Sequence, residues 1–246
     1  MNYLKPTTKN ELNRVQTALK KELASEKIIQ DIYEYIFNTE GKKTRALLSL
    51  LSSKSTKIKP SERIGLASII ELLHTATLVH DDVVDGSEVR RGSKSVNQVW
   101  TNSYSVLIGD FIYSKAFILM VKLGIPSILD ELAKATNDIA RGEIIQLELS
   151  EKKESIKLNE LLKVSYLKTG RLFEASAKTG AMLAEKSSEE VKSFGLLGRS
   201  LGTAFQIQDD ILDYAAIKFD TGKPAFKDFK EGKITFPLYF AIQNAD

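Results

Sequence analysis

Residues His80–Gly92 read HDDVVDGSEVRRG, so Asp81, Asp82 and Asp85 fall within five positions and Arg90 and Arg91 follow at once. Residues Gln208–Asp213 read QDDILD, which repeats the D-D-x-x-D spacing with Asp209, Asp210 and Asp213. On a helix the first and last aspartates of each triplet are i and i+4 and share a face, with the middle one a position round. Like charges so placed destabilise an exposed helix by about 0.2–0.5 kcal/mol per pair, and partial burial raises the penalty. Two carboxylates one turn apart can offset it by sharing a hard divalent cation. The chain has no cysteine and two histidines, so thiolate and histidine-rich zinc sites are excluded. Oxygen-only ligation suits magnesium, which keeps waters and recruits substrate phosphates. One acidic cluster reads as readily as a solvated helix cap. Two with identical spacing, each ending an apolar helix, point to two metal-binding faces aimed at one polyanion.

Cations of the kind that hold diphosphates stand beside glycines. Lys42, Lys43 and Arg45 lie in GKKTR, Lys168, Thr169 and Arg171 in LKTGR, Lys223 in TGKP and Lys233 in EGK. Any one alone reads as a solvated surface charge. His74 lies seven residues before Asp81, two helical turns away on a similar face. By itself it reads as a satisfied core histidine, and so does His80. Glu143 and Gln146 in GEIIQ face one another at i, i+3 and are expected to order water around the first cluster.

The elements that must carry these residues read almost entirely as helix. Apolar residues recur at three-to-four spacing over 28–37, 45–51, 64–84, 104–123, 128–149, 158–184 and 190–214. Capping-box patterns stand at Thr8–Glu11 and Ser187–Glu190. Breakers fall at 52–61, 86–95, 124–127, 151–155 and 216–232, none resembling a domain linker. No run shows sustained alternation with β-branched enrichment, and no Asn-Gly or Asp-Gly hairpin is found. The expectation is a single all-α domain over 1–246. The 64–84 and 190–214 helices are apolar on most faces and are expected inside the bundle. Of the 246 residues, 35 are basic and 32 acidic, a net charge of +3 too balanced to suggest nucleic-acid binding. The N-terminus lacks the apolar region of a signal peptide, and Ala116–Leu129 is too short and interrupted to span a bilayer. A cytoplasmic protein is expected.

These motifs resemble those of the trans-isoprenyl diphosphate synthase (polyprenyl synthetase) family. HDDVVDGSEVRRG resembles the first aspartate-rich motif with its arginine pair, and GTAFQIQDDILDY the second. GKKTR resembles the family's G-K-x-x-R element, with Glu40 and Ala46 departing from the usual glycine and proline. ELLHTATLVH, LIGDFIYSKAF, GEIIQL, LKTGRLFEASAKTGA and GKPAFKDFKEGKITFPL follow in family order. The likeness covers 40–240 and is greatest to the bacterial octaprenyl type. Such proteins extend past the last of these segments, so the resemblance implies that a C-terminal part is absent.

The resemblance implies an isoprenoid-synthase-type helical bundle around a deep apolar cavity, a homodimer, and magnesium bridging the two motifs. It implies sequential addition of isopentenyl diphosphate to an allylic diphosphate, expected to be farnesyl diphosphate, giving octaprenyl chains for quinone side chains. Product release implies peripheral membrane contact. Asp81, Asp85 and Asp209 are the expected metal ligands, with Asp82 and Asp213 acting through water or behind them and Asp210 completing the second motif. By resemblance Arg90, Lys168 and Lys223 bind the allylic diphosphate, Gln206 steadies it and Lys233 closes the site. Positive side chains hold isopentenyl diphosphate, by resemblance Lys42, Arg45, His74 and Arg91. Thr169 and Gln206 offer oxygens to a carbocation.

Ala76 and Thr77, five and four residues before Asp81, are the positions where the resemblance implies that aromatic residues stop chain growth. Both are small here, so a growing chain is expected to pass them towards Tyr113, Phe117 and Met120, with Phe117 as a candidate floor, although all three read as readily as ordinary core packing. A shorter-chain geranylgeranyl-type synthase is the alternative. A class I terpene cyclase would carry a different second motif and lack GKKTR, and a regulatory subunit would have lost aspartates that are intact here.

Overall fold

A computed structural model describes residues 6–21, 26–38, 41–151, 156–215, 226–230 and 232–245. The fold is all-α, as the periodicity predicts. In chain order the helices are α1 (Pro6–Lys21), α2 (Lys27–Asn38), α3 (Thr44–Ser52), α4 (Pro60–Val84), a short α5 (Val96–Val99), α6 (Asn102–Leu123) and α7 (Pro126–Glu151). Then come α8 (Leu158–Ser165), a π-helical turn (Tyr166–Gly170), α9 (Arg171–Leu183), α10 (Ser188–Ala215), a short α11 (Lys227–Lys230) and α12 (Phe236–Gln243). The ends follow the chain's punctuation. Pro60 and Pro126 open α4 and α7, where a missing N–H costs nothing, and Gly124 at φ 71° ends α6.

A two-stranded hairpin interrupts the helices between α4 and α5. β1 (Val89–Arg90) pairs antiparallel with β2 (Ser93–Lys94), Val89 opposite Lys94. Its turn residues Arg91 and Gly92 have φ of 52° and 78°, the positive pair that a type I′ turn requires. The arginine in the first place hides the hairpin from a search for Asn-Gly or Asp-Gly.

The chain groups into two compact units, residues 1–132 with 176–194 and residues 133–175 with 195–246, whose boundaries fall inside α7, α9 and α10. The first unit is organised round α4, buried almost continuously from Arg63 to Leu73. Against it α6 turns one face, Ile108, Gly109, Ile112, Ala116 and Met120, at helical spacing. Arg63 joins α4 to α1 and α3, donating to Glu11 Oε1 at 2.6 Å and to the Leu50 carbonyl at 2.7 Å. That corrects the capping box at Thr8: α1 begins at Pro6, and Glu11 serves a buried arginine. The box at Ser187 is borne out by reciprocal bonds with Glu190 at 3.0 and 3.2 Å.

In the second unit, Leu149, Leu161, Val164 and Phe236 form an apolar cluster. Here α10 departs from expectation. Leu196, Leu197, Leu201, Phe205, Ile211 and Leu212 are all exposed, whereas Gly195, Gly198, Gly202 and Asp210 are buried. Packing runs through the glycines: a Cβ at Gly202 would lie 2.7 Å from Gly170 Cα, and one at Gly198 2.5 Å from the Phe173 carbonyl oxygen. The signal was the Gly195, Gly198, Gly202 spacing, which marks one helical face for close approach.

Candidate active site

The first aspartate cluster ends α4. Asp85 is the C-cap, its N–H bonded to the Asp81 carbonyl at 2.8 Å. Asp82 is buried and accepts from Arg90 Nε at 2.9 Å and Nη2 at 2.5 Å, while Asp81 and Asp85 are half-buried. The hairpin therefore returns Arg90 to the helix end and neutralises the carboxylate that burial makes most costly. Arg91, one residue on, points elsewhere. Its guanidinium lies where a Cβ at Gly41 would be, 2.5 Å from Nη1, so the glycine of GKKTR is a seat for it.

Arg45 of α3 is buried and bonds His74 Nε2 at 3.0 Å. Arginine has only donors, so His74 accepts at Nε2. Burial, then the charges of Arg45, Arg91 and Arg90, hold the His74 pKa well below the usual imidazole range. His74 is thus neutral, which corrects its place among the positive side chains; it serves instead as an uncharged hydrogen-bonding partner. Burial lowers Arg45 to about 10, still cationic at neutral pH. Motif spacing missed Glu71, one turn before His74. It is buried and accepts the Ala46 N–H at 3.2 Å. Lys43, at φ 44°, and Arg91 line an apolar-walled pocket with Leu19, Phe37 and Leu78. Lys42 is exposed.

Lys168 and Thr169 of the second unit lie on the π-helical turn, a distortion frequent at functional sites. Lys168 Nζ pairs with Glu143 Oε2 at 2.7 Å and bonds Gln146 Oε1, so the two GEIIQ side chains grip the lysine. Thr169 Oγ donates to Gln206 Oε1 at 2.5 Å, and Gln206 Nε2 donates to Asp210 Oδ1 at 2.8 Å. Asp210 is buried, Asp213 half-buried and Asp209 exposed. The Asp228 N–H reaches Asp213 Oδ2 at 3.2 Å, and the Lys233 N–H reaches the Asp228 carbonyl at 2.9 Å. Lys223 lies outside the described residues. On α4, Ala76 is fully buried and Thr77 half-buried. On α6, Phe117 is 39% exposed, whereas Met120 is buried at 1%.

Each motif thus buries its middle aspartate on a protein partner and leaves the first more accessible. Among the described residues no group of three or more His, Asp or Glu could hold a metal ion. Burial raises the Asp210 pKa to about 6, from 3.8 for an ordinary aspartate, against the lowering effect of Gln206. A raised folded-state value means that ionisation opposes folding. This contribution to stability is full below about 3.8 and lost as pH rises through about 6. Asp210→Asn should therefore be more stable than the parent above pH 6, by roughly 1–3 kcal/mol, and match it near pH 4, as thermal melts would show.

Fold and motifs define a helical prenyltransferase. The chain belongs to the polyprenyl synthetase family, whose model matches residues 26–246. The octaprenyl diphosphate synthase of Escherichia coli is 40% identical over 238 residues, covering 96% of this chain and 73% of the relative. Among solved structures, a polyprenyl synthase from Caulobacter crescentus, complexed with calcium and isoprenyl diphosphate, superposes with a TM-score of 0.91 at 35% identity. That match covers 96% of this chain and 72% of the other. The octaprenyl pyrophosphate synthase of Helicobacter pylori gives 0.83 at 31% identity, covering 99% and 78%. No helix among the described residues is long and apolar enough to cross a membrane.

Proposed function

We propose that the protein condenses isopentenyl diphosphate sequentially onto an allylic diphosphate, farnesyl diphosphate as primer, to make an octaprenyl chain for quinone side chains. The observation that carries this is the repeated motif, with Asp82 held by Arg90, Asp210 by Gln206, and Asp81, Asp85 and Asp209 the candidate ligands. Their donors suit magnesium in kind: they are oxygens only, Asp81 and Asp85 stand one helical turn apart on α4, Asp209 comes from the second motif, and water and phosphate oxygens would complete the set. When bound, magnesium neutralises charge developing on the diphosphate leaving group. The rest falls to the protein. Lys168, steadied by Glu143 and Gln146, presents a fixed charge to the allylic diphosphate together with Arg90, Lys223 and Lys233. Thr169, its proton donated to Gln206, turns oxygen lone pairs towards a carbocation. Lys42, Arg45 and Arg91 hold isopentenyl diphosphate, with His74 orienting Arg45. The released diphosphate is the base for the final proton.

Labelled isopentenyl diphosphate, farnesyl diphosphate and magnesium should yield long linear chains, read by chromatography after dephosphorylation. Cyclised products or none would overturn the assignment. We also propose a homodimer, supported by the exposed Leu107, Ile118 and Val121 of α6, which light scattering would test.

The hairpin divides its two arginines between substrates. Arg91→Ala should raise KM for isopentenyl diphosphate by about ten- to a hundredfold, the loss of charge-assisted bonds of about 1.5–3 kcal/mol, and spare the allylic KM. Arg90→Ala should do the reverse, and should also lower the melting temperature by stranding Asp82. Equal effects of both variants on both Michaelis constants would refute the division.

A further inference from the structure

His80 immediately precedes Asp81 yet turns away from it, onto α6. Its Nε2 lies 3.1 Å from the Val106 carbonyl oxygen and 3.4 Å from Asp110 Oδ1, and its ring stacks on Tyr113 at 5.8 Å between centroids. Both polar neighbours are acceptors, so Nε2 carries a hydrogen and donates. The ring sits in a notch in α6: an ideal Cβ on Gly109 would lie 2.2 Å from Nε2 and 2.5 Å from Cδ2. Any larger residue at 109 would expel it.

We propose that His80 is a positioning residue, whose ring, keyed into the Gly109 notch, fixes the rotation of the last turn of α4 and with it the aim of Asp81 and Asp85. The last turn of a helix frays readily, and this one carries carboxylates that repel one another. Successive residues are 100° apart, so a ring pinned on α6 fixes the directions in which Asp81 and Asp85 leave the helix. Val106 and Asp110 lie on α6 one turn apart, and Tyr113 one turn beyond, so the ring is held along the α6 axis as well as towards it.

The inference rests on the magnesium reading of Asp81 and Asp85. Its test is a magnesium titration of activity in the full chain, with both Michaelis constants. His80→Ala and Gly109→Ala should each raise the half-saturating magnesium concentration by about five- to tenfold, in line with one lost hydrogen bond and its packing, and leave the isopentenyl diphosphate KM unchanged. His80→Gln, which keeps an N–H donor, should recover part of the loss. In the double variant the methyl that Gly109→Ala adds takes space that the ring vacated, so the defect should be smaller than the two single defects combined. A second readout needs neither metal nor substrate. The Asp85 amide, bonded to the Asp81 carbonyl across the last turn, should exchange its hydrogen with solvent faster in His80→Ala than in the parent protein. If Gly109→Ala does not fold, the His80 pair decides alone. An unchanged magnesium requirement or unchanged exchange in His80→Ala, an isopentenyl KM rising in step with the magnesium requirement, or no recovery in His80→Gln would overturn the proposal. Full turnover of the parent protein in chelator would instead overturn the magnesium reading itself.

Discussion

Asp81→Ala and Asp209→Ala are each expected to lower turnover by about a thousandfold or more, the scale of losing a preorganised electrostatic contribution to charge separation. The same substitutions should leave helix content nearly unchanged. Neither residue is fully buried, Asp209 is exposed, and each shares a helical face with another carboxylate one turn on. Removing a repelling charge from the metal-free protein should hold the melting temperature or raise it. Asp82→Ala is the internal contrast. It strands Arg90, 33% exposed against 4% for its partner's side chain, and breaking a buried pair costs about 3–5 kcal/mol. Asp82→Ala should thus lose stability and activity together, whereas Asp81→Ala loses activity alone. Excess EDTA should abolish turnover of the parent protein and magnesium restore it. A large stability loss in Asp81→Ala would make the cluster a structural element, and full turnover in EDTA would remove the metal altogether.

Helix positions were legible because burial imposes a period on the sequence, and the 64–84 pattern became α4, the helix round which the first unit is organised. The same rule misread α10. Apolar content predicts burial only when side chains make the contact, and in α10 glycines make it, with the leucines facing out. Reactive residue types were legible too, since two D-D-x-x-D clusters need no structure to be seen. Their division of labour was not. That Asp82 and Asp210 are held while their neighbours are more open depends on Arg90 returning through a hairpin and on Gln206 one turn away. The return of Arg90 does not follow from spacing, whereas the pairing of Gln206 with Asp210 at i, i+4 does. The charge of His74 was likewise hidden: nothing local shows that its ring is buried and that Arg45, twenty-nine residues upstream, meets its Nε2, which together disfavour protonation. The grip of Glu143 and Gln146 on Lys168 depends on a π-helical turn, which has no pattern in the periodicity.

Product length is the second large effect, and Ala76→Phe is expected to shift it from the parent chain to about fifteen to twenty carbons, the range set by the rise per residue along α4. Ala76 lies five residues before Asp81, about 7.5 Å along the axis at 1.5 Å per residue, so a chain anchored at the motif reaches it after its first few isoprene units. Each further CH₂ buried favours elongation by about 0.8 kcal/mol, and growth continues until something solid stands in the way. Ala76 is fully buried, so its neighbours cannot give way to a phenyl ring without an overpacking cost of about 1–3 kcal/mol, and the ring stays as a wall. The first condensation should survive, because Thr77, on the face of His74 and Asp81, is untouched. The far end of the path should answer to α6. Met120 is buried and Phe117 is 39% exposed, so Met120→Ala should lengthen the product and Phe117→Ala leave it unchanged. Chromatography of dephosphorylated products reads all three variants. The parent chain length from a folded Ala76→Phe enzyme would mean that the growing chain never passes the buried side of α4. Lengthening by Phe117→Ala but not by Met120→Ala would place the chain's end on the outer face of α6, where only a partner subunit could enclose it.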